Sequence, residues 1–185
     1  MKRPLLLVPI LLTLALLPGC GLHPLYSGGT NGPVAGTLAQ VEVAPIAGQP
    51  GWLVAGALRD RIRAAGESTP RYRLEVKLDD QIIGLGIRPD NTVSRERRSL
   101  RARYQLVDIE RGTVLLDSTA GSDVGLDVVS SEYATIAAEQ SALERLSGIV
   151  ADQIVARVAL FAQRTTPMQD TATGSQAPLQ ATAKP

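Results

Sequence analysis

The chain has 185 residues, a formal net charge of +1, and 44% hydrophobic residues of which few are aromatic. That length holds one domain able to bury a real core, with little room for a second, and near-neutral charge without stacking aromatics excludes a nucleic-acid binder. One cysteine and one histidine leave no material for an internal disulfide, a Cys or His metal cluster or a nucleophilic relay.

The first element is a targeting segment. Lys2 and Arg3 precede an apolar run from Leu5 to Leu17, and Gly19 stands before Cys20, which predicts a lipoprotein signal peptide over residues 1–19 and a mature chain beginning at an acylated Cys20. The run is shorter than the roughly 20 residues of a membrane span and contains Pro9. Pro18, where a small or β-branched residue usually stands, predicts slow processing. An N-acyl and an S-diacylglycerol group at Cys20 are the only cofactor-like chemistry expected, and more than one chain makes anchoring stable, at about 0.8 kcal/mol per buried methylene. Gly21 replaces the aspartate that retains such proteins in the inner membrane, so outer-membrane delivery is expected. Without Lys2 and Arg3, 17 basic side chains face 18 acidic ones.

Residues 20–36 are rich in Gly, Pro, Ser and Asn and read as a flexible tether. The folded domain is expected over residues 37–165. It opens with a strand pattern from Leu38 to Val43 and a turn at Gly48-Gln49-Pro50-Gly51. Val54, Leu58 and Ile62 then recur at helical spacing until Gly66. From Arg71 to Asp79 the chain alternates, with Tyr72, Leu74, Val76 and Leu78 on one face and Arg71, Arg73, Glu75, Lys77 and Asp79 on the other. Ile82 to Ile87 extends this strand, Gly84 and Gly86 permit a bulge, and Pro89-Asp90-Asn91 turns the chain into a hairpin.

The return strand, about Thr92 to Ile109, puts Leu100, Ala102, Tyr104 and Leu106 inward and Arg95, Arg97, Ser99, Arg101 and Arg103 outward. A fourth strand is predicted from Gly112 to Ala120, with a break at Gly121-Ser122-Asp123. A long helix follows, capped by Ser130 or Ser131, with Ile136, Leu143, Leu146, Val150, Ile154, Val158 and Phe161 on one stripe. Residues 166–185 lack hydrophobic period and read as a disordered tail. The order predicts an α+β fold: a two-layer sandwich of a four-stranded, mostly antiparallel sheet covered by two helices, mixed if the first two strands run parallel.

Catalysis finds no support in this pattern. His23 lies in the tether, where no rigid frame holds a base. Asp79 and Asp80 point to opposite faces of a strand, and Gly84-x-Gly86 lacks the helix and lysine of a phosphate loop. The arginines have two readings. One is a solvated hairpin face, partly neutralised by Glu75, Asp79 and Glu96. The other is an anion site of Arg95, Arg97, Arg98, Arg101 and Arg103, whose guanidinium groups fork onto phosphates of a lipid headgroup.

The opening Cys20-Gly21-Leu22-His23-Pro24-Leu25-Tyr26, with this order of elements and the arginine-rich hairpin, resembles the LptE-type lipopolysaccharide-assembly lipoproteins. The resemblance implies an outer-membrane lipoprotein, on the periplasmic side or within a barrel lumen. Such a protein plugs and helps assemble the LptD β-barrel and binds lipopolysaccharide without bond cleavage. Cys20 carries over as the acylation site, and no catalytic or metal-binding residue does. The alternative is an auxiliary lipoprotein of a phospholipid ABC transport system, with transporter subunits as partners in place of a barrel. A cell-envelope hydrolase is a third reading, and it requires an essential carboxylate that nothing in the chain singles out.

Overall fold

A computed structural model describes residues 32–87, 93–129 and 131–173. Cys20, His23, the signal segment, residues 20–31 of the tether and the Pro89-Asp90-Asn91 turn lie outside them. The elements are α1 (Pro33–Leu38), β1 (Val41–Val43), α2 (Gly48–Arg63), β2 (Tyr72–Ile87), β3 (Val93–Asp108), β4 (Val114–Asp127) and α3 (Glu132–Thr173). The strands form one sheet in the order β1-β2-β3-β4. β1 runs parallel to β2, and the other pairs are antiparallel. The expected mixed α+β sandwich is present, with three helices among the described residues in place of two.

The additional helix is α1. Residues 33–36 fall in the stretch read as tether and Leu38 in the expected first strand. Yet Pro33 sits in the first helical turn, where its missing N–H leaves nothing unsatisfied, and Val34 and Leu38 lie one turn apart and are buried. The strand is consequently shortened to Val41–Val43. A similar shift affects α2. Gly48-Gln49-Pro50-Gly51 forms its first turn, with Gly48 at a φ of 81°. Gly51 is buried with no room for a side chain, since a Cβ there falls 2.5 Å from the Ile46 carbonyl oxygen.

The hairpin is regular. Pairing runs from Tyr72↔Asp108 to Ile87↔Val93 at constant register, so Gly84 and Gly86 introduce no bulge. The irregularity falls instead between Leu106 and Val107, opposite β4. β4 also runs through the expected break. Gly121, Ser122 and Asp123 pair with Arg101, Leu100 and Ser99 and the strand continues to Asp127, because a long partner strand outweighs the weak propensity of a Gly-Ser-Asp run. Asp108 closes the β3–β4 turn, its buried carboxylate accepting the N–H groups of Glu110 and Arg111 at 3.0 and 3.1 Å.

Sheet and helices enclose one core. Leu74, Val76, Leu100, Ala102, Tyr104 and Leu106 face Val54, Leu58 and Ile62 of α2 and Leu143, Leu146, Val150, Ile154 and Val158 of α3. Each fully buried aliphatic side chain contributes about 1.5–3 kcal/mol. Ile136, expected on the same stripe, is exposed, because α3 begins about three turns ahead of the point where the core covers it. The Ser131 Oγ accepts the Ala134 N–H, consistent with the expected cap. The backbone of α3 continues to Thr173, past residue 165 where the tail was placed. By length and composition Glu132–Thr165 is apolar enough to cross a membrane, and half of its most apolar stretch is buried inside the protein. That is the profile of a core helix.

Arg61 ties the two long helices together. Its Nη2 donates to Asp152 at 3.0 Å and to the Gly148 carbonyl at 3.2 Å, and its Nη1 to the Ala57 carbonyl at 2.9 Å. The hydrogen bond from Arg61 holds the Asp152 carboxyl below the usual carboxylate range, against a smaller opposing effect of burial.

Candidate functional site: the open face of the sheet

Among the described residues no helix covers the second face of the sheet. Alternation and register place Arg73, Lys77, Arg95, Arg97, Arg101 and Arg103 there together with Glu42, Glu75, Asp79, Asp117, Asp123 and Asp127. Like charges so close repel unless acids interleave, and most of the arginines have found an acid. Arg103 donates to Asp117 at 2.9 Å, Arg95 meets Asp127 at 3.0 Å, and Arg101 approaches Asp123 at 3.9 Å. The hydrogen bonds from Arg103 and then Gln105 hold the Asp117 carboxyl below its ordinary range.

Two places on this face depart from neutral pairing. The first is a shallow, open hollow of about 720 Å³ over the middle strands, lined by Lys77, Asp79, Arg101, Arg103, Thr119 and Gly121. Small residues on β4 create it. Gly121 in particular lets the Arg101 side chain lie across the edge strand, since a Cβ there falls 2.6 Å from the Arg101 Cδ. Lys77 pairs with Arg103 across the hairpin and has no acid partner among the described residues. It was visible in the alternation as an outward residue, and only the register shows that it joins Arg101 and Arg103.

The second place is the distal end of the hairpin. Arg97 stands between Ile83 on β2 and Gly125 on β4, so no acid lies in its row, and it has no partner among the described residues. Ile83 is 49% exposed and Leu85 37% exposed. A free guanidinium beside two exposed aliphatic side chains suits a ligand that is anionic at one point and apolar beside it.

Arg98 does not share this face. It shares the parity of Leu100, points under α3 and is 8% exposed. Its Nε and Nη2 bind Asp80 at 3.0 and 2.6 Å, and its Nη1 donates to the Glu139 carbonyl at 2.8 Å. The hydrogen bonds to Asp80 raise its already high pKa. Its position is that of a structural clamp, and the five candidate arginines thus divide into Arg97, Arg101 and Arg103 around the two departures, Arg95 tied to Asp127, and Arg98 beneath the helix. Among the described residues no three His, Cys, Asp or Glu side chains stand close enough to hold a metal ion.

Comparison with known proteins is consistent with this architecture. The profile of the family LptE, described as lipopolysaccharide-assembly, matches residues 38–158. No curated protein sequence matches the chain. Among solved structures, a Caulobacter crescentus CB15 chain superposes with a TM-score of 0.60 at 24% identity, covering 71% of this chain and 98% of that one. A minor lipoprotein of Acinetobacter baumannii gives 0.55 at 13% identity, covering 68% and 93%. Lipoprotein B of Nitrosomonas europaea gives 0.53 at 14% identity, covering 70% and 92%. At these identities the likeness shows the fold.

Proposed function

This chain belongs to the lipopolysaccharide-assembly family LptE, and from that premise we propose that it is an outer-membrane lipoprotein, acylated at Cys20, that plugs and helps assemble an LptD-type β-barrel and binds lipopolysaccharide in transit to the outer leaflet. It acts by binding and breaks no bond. The observation that carries the lipopolysaccharide part is the open face of the sheet. There Lys77, Arg101 and Arg103 surround a hollow, and Arg97, without a partner among the described residues, adjoins exposed Ile83 and Leu85. Lipopolysaccharide combines phosphates with acyl chains, and arginine meets phosphate with two parallel hydrogen bonds. A face of interleaved charge also suits the polar lumen wall of a barrel, since interfaces need not be more apolar than the rest of a protein surface.

Two measurements test this reading. An Arg97→Ala, Arg101→Ala chain is expected to bind lipopolysaccharide about tenfold more weakly than the parent, the loss of charge-assisted hydrogen bonds moderated by solvent exposure. Equal binding removes the arginine assignment. Affinity purification of the tagged chain from detergent-solubilised envelope is expected to bring a large outer-membrane β-barrel in near-equal amount. Transporter subunits in its place overturn the barrel reading in favour of the phospholipid transport alternative.

A further inference from the structure

The sheet has two edges, and they differ. Among the described residues β1 forms an edge of three residues and β4 one of fourteen. The direction of the β4 backbone is fixed by Gly121, whose N–H donates to the Gln153 Oε1 at 3.0 Å and whose carbonyl accepts the Gln153 Nε2 at 3.4 Å. Gln153 reaches in from α3, outside the β3–β4 pair, so the Gly121 groups point away from β3. Backbone groups two residues apart in a strand point the same way. Thr119, Asp123, Gly125 and Asp127 therefore turn their N–H and C=O groups to the same open side. One side-chain amide does at Gly121 what a neighbouring strand does along a whole edge.

Proteins blunt an exposed edge with brevity, proline, lysine or a bulge. β4 is long, has neither proline nor lysine, and its single register shift lies at its beginning, opposite Leu106 and Val107. It also carries charge of one sign. Between Val114 and Asp127 stand Asp117, Asp123 and Asp127 and no basic residue. Cross-strand pairs of opposite charge stabilise a sheet, whereas like charges directly opposite destabilise it. An added strand bearing cations at alternate positions fits. Residues 1–32 and 174–185 hold Lys2, Arg3 and Lys184 as their basic side chains, without the alternation such a strand needs.

We propose that the free edge of β4 is a strand-addition surface for an extended basic segment of a partner polypeptide, with Gln153 as a latch that occupies its centre until the partner displaces it. Main-chain hydrogen bonds supply the affinity in this mode, and side chains at alternate positions supply the choice of partner. The test is fluorescence anisotropy on the full chain with a labelled peptide of alternating Thr and Lys long enough to cover β4. Two control peptides accompany it: one with Glu in place of Lys, and one N-methylated along a single edge to remove its main-chain donors. The Lys peptide is expected to bind, the Gln153→Ala chain to bind it severalfold more tightly, and both controls to lose binding. Gln153 is exposed, so the variant keeps its fold, as a thermal melt checks. Binding that survives N-methylation, equal binding of the Glu peptide, or an affinity unmoved by Gln153→Ala overturns the proposal. So does absence of binding to both chains. A Gln153→Ala chain that self-associates in sedimentation and takes up no peptide overturns it too, and gives the edge to a second copy.

Discussion

Arg98 and Asp80 form a two-point ion pair on the covered face of the hairpin, at 2.6 and 3.0 Å, and the same guanidinium reaches the backbone of α3 at Glu139. One side chain thus joins β2, β3 and the first turns of α3, in a stretch where that helix has not yet met the apolar core. Packing holds α3 from Leu143 onward. Ahead of it the helix is pinned by polar contact.

Arg98→Ala is expected to destabilise the fold by about 2–4 kcal/mol, because it leaves Asp80 charged and mostly buried, the lower end reflecting what water still reaches it. A chain with Arg98→Met and Asp80→Leu is expected to recover most of that loss, since a buried pair replaced by apolar groups is often neutral. Urea midpoints of the three chains check both expectations. A single variant with unchanged midpoint contradicts the clamp.

Stability is expected to be flat from neutral pH down to about 4 and to fall below it. Asp152 and Asp117 are held below the ordinary carboxylate range by hydrogen bonds from Arg61 and Arg103, and unfolding returns them to about 3.9. Their contribution is complete above that value and is lost as pH drops through the lower folded values. Asp152→Asn is expected to flatten the acid limb of urea midpoint against pH. A limb parallel to the parent's refutes it.

Two glycines of α2 give opposite outcomes for the same substitution. Gly51→Ala drives a Cβ to 2.5 Å from the Ile46 carbonyl oxygen and 2.7 Å from its carbon, and overpacking against backbone is expected to cost about 1–3 kcal/mol. Gly56→Ala meets nothing within 4 Å and is expected to gain about 0.5–1 kcal/mol by restricting the unfolded chain in a helix interior. Thermal melts of the pair decide it. Equal shifts in either direction contradict the close approach of Gly51 to the loop.

Much of this was legible because periodicity carries it. Tyr72 to Leu78 alternates so cleanly that only one face can be buried, and Leu143 to Val158 marks a single helical stripe. Parity along β3 set Arg95, Arg97, Arg101 and Arg103 outward as the structure has them, whereas Arg98, grouped with them as an anion-site candidate, shares the direction of Leu100 and is buried. What stayed hidden depends on partners distant in sequence. Gly121-Ser122-Asp123 reads as a break by local propensity, and only pairing with β3 makes it strand. Lys77 becomes part of a site through hairpin register, which no single strand encodes. In α1 the signal was present, Pro33 followed by Val34 and Leu38 one turn apart, but six residues are too few for a periodic pattern to stand out against Gly-rich surroundings.

The length of the hairpin sets a distance. α1 lies beside the start of β2 and the Phe161 end of α3, with Pro33, Tyr72 and Phe161 bordering one small cavity. The chain therefore enters the fold at the opposite end from the row of Arg97. From Tyr72 to Ile83, the partner of Arg97, β2 spans about 36 Å at strand rise, set against about 30 Å for the hydrocarbon of a bilayer. The distal arginine therefore stands farther from the point where the chain enters the fold than a bilayer's hydrocarbon is thick, and shortening β2 and β3 together changes that reach.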